Sequence, residues 1–284
     1  MSRWRAALGS TAHTPLISWT ARRFDQKRKN SMKQLVMGAL MALAAISPSS
    51  AQTTAASKPV SIVLVHGAFV DASGWRAVYD ILTHDGYEVL LVQNPTVTLE
   101  GDVAATKRVI AGATKPVLLV GHSYGGAVIT EAGADPKVKA LAYIAAFAPD
   151  VGESVYELAT RPVPGESGPP LLPPNDGFII VDPAKFPAAF APDVDPKITR
   201  FLAAAQVPWG LGAVQPKLTT AAWKDKPVSY LLTTEDRMVS PTTQRFMASR
   251  AKASPVEIKS SHAVMLSHPQ EVATFVENAA AGVK

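Results

Sequence analysis

Beyond residue 58 the chain alternates short apolar runs, rich in β-branched residues, with longer helix-compatible segments. The runs fall at 61–65, 88–92, 117–120, 140–145, 228–232 and 256–258. None shows the polar alternation of a half-exposed strand, which predicts strands covered on both faces. Helices are predicted at 75–84, 99–112, 124–134, 242–251 and 269–281, the last opening on Ser267-His268-Pro269 with proline in its first turn. Strand and helix in alternation imply an α/β fold, a mostly parallel, doubly wound sheet with helices on both sides. The alternation breaks between residues 150 and 226, a proline-rich stretch that carries Phe178, Phe186, Phe190, Phe201 and Trp209. This stretch is read as an irregular lid inserted after the 140–145 strand, so that 59–149 and 227–284 make up the core.

At 284 residues and 47% hydrophobic, the chain can bury one large core. The net charge of +5 suggests a nucleic-acid partner until its distribution is examined. Eight of the 28 basic residues, but only one of the 23 acids, fall within residues 1–51. The remainder is slightly acidic, which argues against nucleic-acid binding. Residues 1–51 read as a leader: Met32-Lys33, an apolar run at 35–46, then Ser-Pro-Ser-Ser-Ala. Such a run is too short to span a bilayer and suits the core of a signal peptide. Ser49 and Ala51 are the small residues of a cut before Gln52, Met32 is the expected start of translation, and 52–58 is a linker. The expected location is periplasmic or secreted, with no stable membrane association after cleavage. Cysteine is absent, so the fold needs neither a disulfide nor thiolate chemistry.

The chemistry concentrates in Val117-Leu-Leu-Val-Gly121-His122-Ser123-Tyr124-Gly125-Gly126. A buried strand runs directly into Gly-x-Ser-x-Gly, and helix-compatible residues follow. In a nucleophile elbow of this kind, the serine occupies a strained strand-to-helix turn that lifts its hydroxyl above the sheet. Side chains two residues before or after it would collide, hence the glycines. The amide of the next residue, Tyr124, faces the same site.

On these residues the chain resembles the α/β-hydrolase superfamily, and the resemblance extends over roughly residues 58–282. Val63-Leu-Val-His66-Gly67-Ala68-Phe69, followed by Asp71-Ala-Ser-Gly-Trp75, is similar to that family's first oxyanion loop and first helix. The likeness is to small bacterial serine carboxylesterases near the plant methylesterase and hydroxynitrile-lyase branch. It implies a serine nucleophile, then an acid, then a histidine. The loop Thr234-Glu235-Asp236-Arg-Met-Val239-Ser-Pro241 supplies the acid. The family places an aliphatic residue three positions beyond it, which selects Asp236 over the runner-up Glu235. Ser260-Ser261-His262-Ala263, past the last strand, supplies the histidine.

The roles implied are a Ser123 nucleophile, a His262 base and an Asp236 orienting acid. Imidazole exchanges protons near neutral pH, and the carboxylate fixes its tautomer. The oxyanion donors are expected to be the backbone amides of Tyr124 and Ala68, with Phe69 as the alternative to Ala68. Phe69 and Trp209 are expected to contact substrate. His122 is expected to pack beneath the elbow and His66 to brace the oxyanion loop, while His84, His268 and Glu131 read as ordinary. Asp182, Asp193 and Asp195 are scattered among prolines without metal-ligand spacing, so neither metal nor cofactor is expected. The reaction implied is hydrolysis of a small carboxylic ester through an acyl-enzyme. Perhydrolase or haloperoxidase chemistry, hydroxynitrile lysis and a catalytically idle binding protein are the alternatives. Oligomeric state has no signature in the sequence.

Overall fold

The computed structural model describes residues 57–166 and 168–283. Residues 1–51, read from the sequence as a leader, and most of the 52–58 stretch read as a linker lie outside the described residues. The chain runs β1 (Ser61–Val65), α1 (Arg76–His84), β2 (Glu88–Val92), α2 (Leu99–Gly112), β3 (Val117–His122), α3 (Gly125–Ala132) and β4 (Val138–Ile144). Between β4 and the next core strand come α4 (Val155–Ala159), β5 (Phe178–Ile179), α5 (Phe186–Phe190), α6 (Pro196–Ala204), β6 (Trp209–Gly210) and α7 (Leu211–Val214). The core resumes with β7 (Val228–Thr233), α8 (Pro241–Arg250), β8 (Val256–Ile258), α9 (Val264–Ser267) and α10 (Pro269–Ala281).

Six strands form one parallel sheet in the order β2-β1-β3-β4-β7-β8. Alternate residues of the inner strands β1, β3, β4 and β7 feed two separate cores, which is why those strands are largely apolar. Contrary to the expectation from their apolar runs, the edge strands β2 and β8 are not covered on both faces: Leu91, Val256 and Glu257 are exposed. Ile62, Leu64, Leu118 and Val120 meet α1 and α10 on one face, through residues such as Leu82 and Val276. Val63, Val65, Leu119 and Tyr230 meet α2, α3 and α8 on the other. Each such side chain contributes about 1.5–3 kcal/mol by leaving water.

The strands fall where the apolar runs predict, with small differences at their ends. β3 reaches two residues further, to His122, and β4 ends at Ile144 because Ala145 takes a left-handed φ of 46°. The proline-rich insertion holds more regular structure than its composition predicts. β5 and β6 pair antiparallel, and Pro187 and Pro196 stand in the first turns of α5 and α6. A proline there removes only an N–H that the helix leaves unpaired anyway.

From β1 the chain goes outward to edge strand β2, then crosses back to β3 on the other side of β1. The order therefore reverses between β1 and β3. The carboxyl ends of those two strands are where sheets of this type bind ligands.

Candidate active site

β3 delivers its serine to that end of the sheet. Ser123 has a φ of 54°, left-handed backbone that costs an ordinary residue about 1–2 kcal/mol. Surrounding contacts hold it there. Ser123 N–H donates to Ile144 O across 3.2 Å, and Ser123 O accepts from Gly126 N and Phe147 N, each at 3.0 Å. The flanking glycines permit the turn: a Cβ at Gly121 would lie 2.6 Å from Gly125 O, and one at Gly125 2.6 Å from Val65 O. At Gly126 it would lie 2.2 Å from Phe147 O.

The loop after β8 brings His262 to this serine, and the loop after β7 brings Asp236 to the histidine. Ser123 Oγ and His262 Nε2 are 2.8 Å apart, as are His262 Nδ1 and Asp236 Oδ2. With Asp236 ionised, Nδ1 carries the proton and donates, leaving Nε2 to accept from the serine hydroxyl. All three are buried; Ser123, the most accessible, is 7% exposed.

Asp236 is satisfied on both oxygens. Its Oδ1 accepts from Met238 N at 2.7 Å and Val239 N at 2.9 Å; its Oδ2 also accepts from Thr233 Oγ1 at 3.0 Å and Gln244 Nε2 at 2.9 Å. Gln244 further donates to Val239 O at 2.7 Å and accepts from Thr233 N at 3.2 Å, locking the acid loop onto α8. Nothing in the residue pattern singled out Gln244, a polar residue within an ordinary helix. Glu235 points away, toward Lys259 at 3.6 Å, and is half exposed.

His66 braces the loop after β1. Its Nδ1–H donates to Gly67 O at 2.8 Å, its Nε2 accepts from Asn94 N at 2.8 Å, and Asn94 Nδ2 donates to His66 O at 3.0 Å. Burial lowers its pKa, against smaller raising contributions from Gly67 and Asp71. His122 lies beneath the elbow, fully buried. Burial, reinforced by the neighbouring His262, pushes its pKa well below the usual value. Its Nε2–H donates to His262 O at 2.9 Å, a contact that reading the sequence did not foresee.

The backbone amides of Ala68, Phe69 and Tyr124 meet no acceptor among the described residues. A Cβ at Gly67 would lie 2.6 Å from Ser123 Cβ, so the Gly67–Ala68 peptide lies against Ser123. Trp209, from the insertion, packs edge-on to Phe69 with ring centroids 5.6 Å apart and against Tyr124 at 5.2 Å. Phe190 stands edge-on to His262 at 4.9 Å.

Asp193, read from sequence as one of several scattered carboxylates, takes hold of the histidine loop. Its Oδ2 accepts from Ser260 Oγ at 2.8 Å and Ser261 N at 2.9 Å, and its Oδ1 accepts from Ser261 Oγ. Only its spacing from other acids was legible in sequence, and that spacing says nothing about two serines far along the chain. A cavity of about 640 Å³ lies on the acid-loop side, lined by Phe147, Leu158, Arg161, Met238 and Val239 among others. It reaches Asp236 but not Ser123. Among the described residues, no three His, Cys, Asp or Glu side chains are grouped to hold a metal.

Several known proteins are similar to this chain. The carbendazim hydrolyzing esterase of Nocardioides is 36% identical over 121 residues, covering 37% of this chain and 50% of that protein. An alpha/beta hydrolase of Aspergillus novofumigatus is 26% identical over 242 residues, covering 78% and 96%. Among solved structures, a pyrethroid hydrolase from Sphingobium faniae superposes with a TM-score of 0.67 at 23% identity, covering 78% of this chain and 98% of that one. Polyneuridine aldehyde esterase gives a TM-score of 0.64 at 20% identity, covering 78% and 99%. Residues 62–275 match the family described as the alpha/beta hydrolase family, which the six-stranded parallel sheet also fits; the chain belongs to that family.

Proposed function

We propose that the protein is a serine esterase that hydrolyses a small carboxylic ester through an acyl-enzyme. The observation that carries this reading is the unbroken hydrogen-bonded line from Ser123 through His262 to Asp236, with the serine raised on a strained strand-to-helix turn. His262 Nε2 takes the Ser123 hydroxyl proton as Oγ attacks the ester carbonyl carbon. The carbonyl π bond opens, leaving negative charge on its oxygen. As the intermediate collapses, the proton on Nε2 passes to the departing alkoxide and an acyl-serine remains. Water then repeats the sequence, releasing the acid and restoring the serine.

The developing oxyanion is met by the amides of Tyr124 and Ala68. Tyr124 precedes the first turn of α3. Ala68 is favoured over Phe69 because Gly67 O accepts from His66. In a trans peptide the following N–H points the opposite way, so the Ala68 amide is turned from the His66 ring. Phe69 and Trp209 form the aromatic wall of the acyl or alcohol pocket. Esterase-named relatives support an ester as the substrate class.

The hydroxynitrile-lyase reading lacks the side chains that such chemistry uses in the branch this chain resembles. A hydroxyl residue follows the first-loop histidine there, and a lysine follows the catalytic one; here those positions hold Gly67 and Ala263. Gly67 also has no room for a side chain beside Ser123 Cβ. Export to the periplasm or the medium rests on the sequence of residues 32–51.

A fluorophosphonate probe together with p-nitrophenyl esters of increasing chain length tests the whole reading. Labelling at Ser123 with ester turnover is expected. Cyanide release from mandelonitrile, lost in Ser123→Ala and without turnover of any ester, would establish the lyase instead.

A further inference from the structure

Asp102 lies outside the catalytic line, on the first turn of α2, yet it is completely buried. Among the described residues no cation lies within ion-pairing distance. A buried carboxylate without a cation is costly unless donors satisfy it. Burial pushes the Asp102 carboxyl above the usual carboxylate range, and three things oppose that rise. The Tyr124 hydroxyl donates to Oδ2 at 2.6 Å, the Thr96 amide donates to Oδ1 at 2.8 Å, and the positive end of helix α2 favours the charge.

Both donors lead to the oxyanion site. Tyr124 carries one of its amides. Thr96, between β2 and α2, has a left-handed φ of 56°, and it ties down residues 208–210 of the insertion. Gly210 N donates to Thr96 O at 2.8 Å, and Thr96 Oγ1 donates to Pro208 O at 3.0 Å. The approach is so close that a Cβ at Gly210 would lie 2.3 Å from Val97 O. Residues 207–210 then reach the other oxyanion segment, where Val207 N donates to Phe69 O at 3.3 Å. Between these anchors the Trp209 ring bridges Phe69 and Tyr124. The circuit is closed: Asp102 to Tyr124, Tyr124 to Trp209, the adjoining Gly210 to Thr96, and Thr96 back to Asp102, with Phe69 held to it by the Trp209 ring and Val207.

We propose that Asp102 is a positioning residue for the oxyanion hole, setting the Tyr124 amide through the tyrosine hydroxyl and the Ala68–Phe69 segment through Thr96 and the Trp209 strap. This inference rests on the reading of Ser123 as the nucleophile. A residue that positions oxyanion donors acts on the transition state, where the charge develops, and little on the bound ester. A carboxylate that only holds the fold would change stability and leave turnover per folded molecule intact.

Asp102→Asn and Tyr124→Phe separate these possibilities. Asparagine cannot accept from both donors, because one of its terminal atoms is itself a donor. Phenylalanine removes one oxygen and keeps the ring against Trp209, so it decides the matter if the asparagine variant does not fold. With active sites counted by fluorophosphonate titration, both variants are expected to lower kcat roughly ten- to a hundred-fold, with KM within about threefold. Affinity for a trifluoromethyl ketone, which forms a tetrahedral oxyanion on the serine, should fall by the same factor as kcat/KM. Affinity for the matching methyl ketone should not. Unchanged kcat per titrated site in both variants, or a loss confined to KM, overturns the positioning role. Full ester turnover in Ser123→Ala overturns the nucleophile reading itself, and this inference with it.

Discussion

His122, the residue immediately before Ser123, donates from Nε2 to the main-chain carbonyl of His262 across 2.9 Å. The strand-to-helix turn therefore holds the backbone of the residue that is hydrogen-bonded to its serine, and the two rings lie 4.6 Å apart. Removing that donor without replacing it strands a buried carbonyl, at a cost of about 1–3 kcal/mol. His122→Phe is expected to lower the urea midpoint accordingly and to reduce kcat. His122→Gln, whose amide reaches a similar point, should recover part of both. Equal behaviour of the two variants would show that the ring's volume matters and the hydrogen bond does not.

Replacing the members of the line itself should have a definite order. Ser123→Ala and His262→Ala are expected to lower kcat by several powers of ten and by similar amounts, because the two act as a unit. Asp236→Asn should be milder than either but far worse than Glu235→Gln, since only Asp236 touches His262. Steady-state ester kinetics on the four variants read this directly. A Glu235 variant more impaired than the Asp236 one would mean that the wrong acid had been assigned.

Asp193 joins the insertion to the loop that carries His262. Asp193→Ala frees Ser260 and Ser261 from that anchor, and the histidine is then held less firmly over the serine. A fall in kcat of roughly tenfold is expected, with a smaller change in KM, consistent with the sensitivity of catalysis to slight misplacement. If turnover stayed at the wild-type level, Asp193 would be only a fastening for the insertion.

Stability should weaken on mild acidification. Burial lowers the pKa of both His66 and His122, the latter strongly. His66 Nε2, moreover, accepts a hydrogen bond and has no room for a proton. The unfolded chain takes up protons at these histidines as pH falls below about 6.5, where the folded protein resists them. Their contribution is thus complete above that value and declines beneath it, by up to about 1.4 kcal/mol per pH unit for each resisted proton. Urea unfolding at pH 7.5 and at pH 5.5 should show the loss, and a flat profile across that interval would contradict it.

Local chemistry made much of this legible in the residues themselves. Strands buried on both faces need apolar residues at every position, so β1 and β3 stand out as unbroken runs. The elbow needs glycine at 121, 125 and 126 because neighbouring backbone oxygens occupy the space a Cβ would take, and that requirement acts at fixed offsets from Ser123. That Asp236 rather than Glu235 meets His262 likewise follows a short-range pattern, for Val239 at the third position beyond donates back to the carboxylate.

Only the tertiary structure decided the remainder. His262 meets Ser123 across a sequence separation of 139 residues, and Asp193 meets Ser261 across 68. Such meetings depend on strand order and on where the insertion folds back. An aspartate in a proline-rich stretch has the same side chain whether it caps a turn in solvent or secures a histidine loop. Asp102 and Gln244 passed unnoticed for that reason, since helix α2 would form equally well with Asp102 facing water. Which way the adjacent amides of Ala68 and Phe69 point is hidden more deeply still, because an N–H is common to nearly every residue and only the course of the backbone directs it.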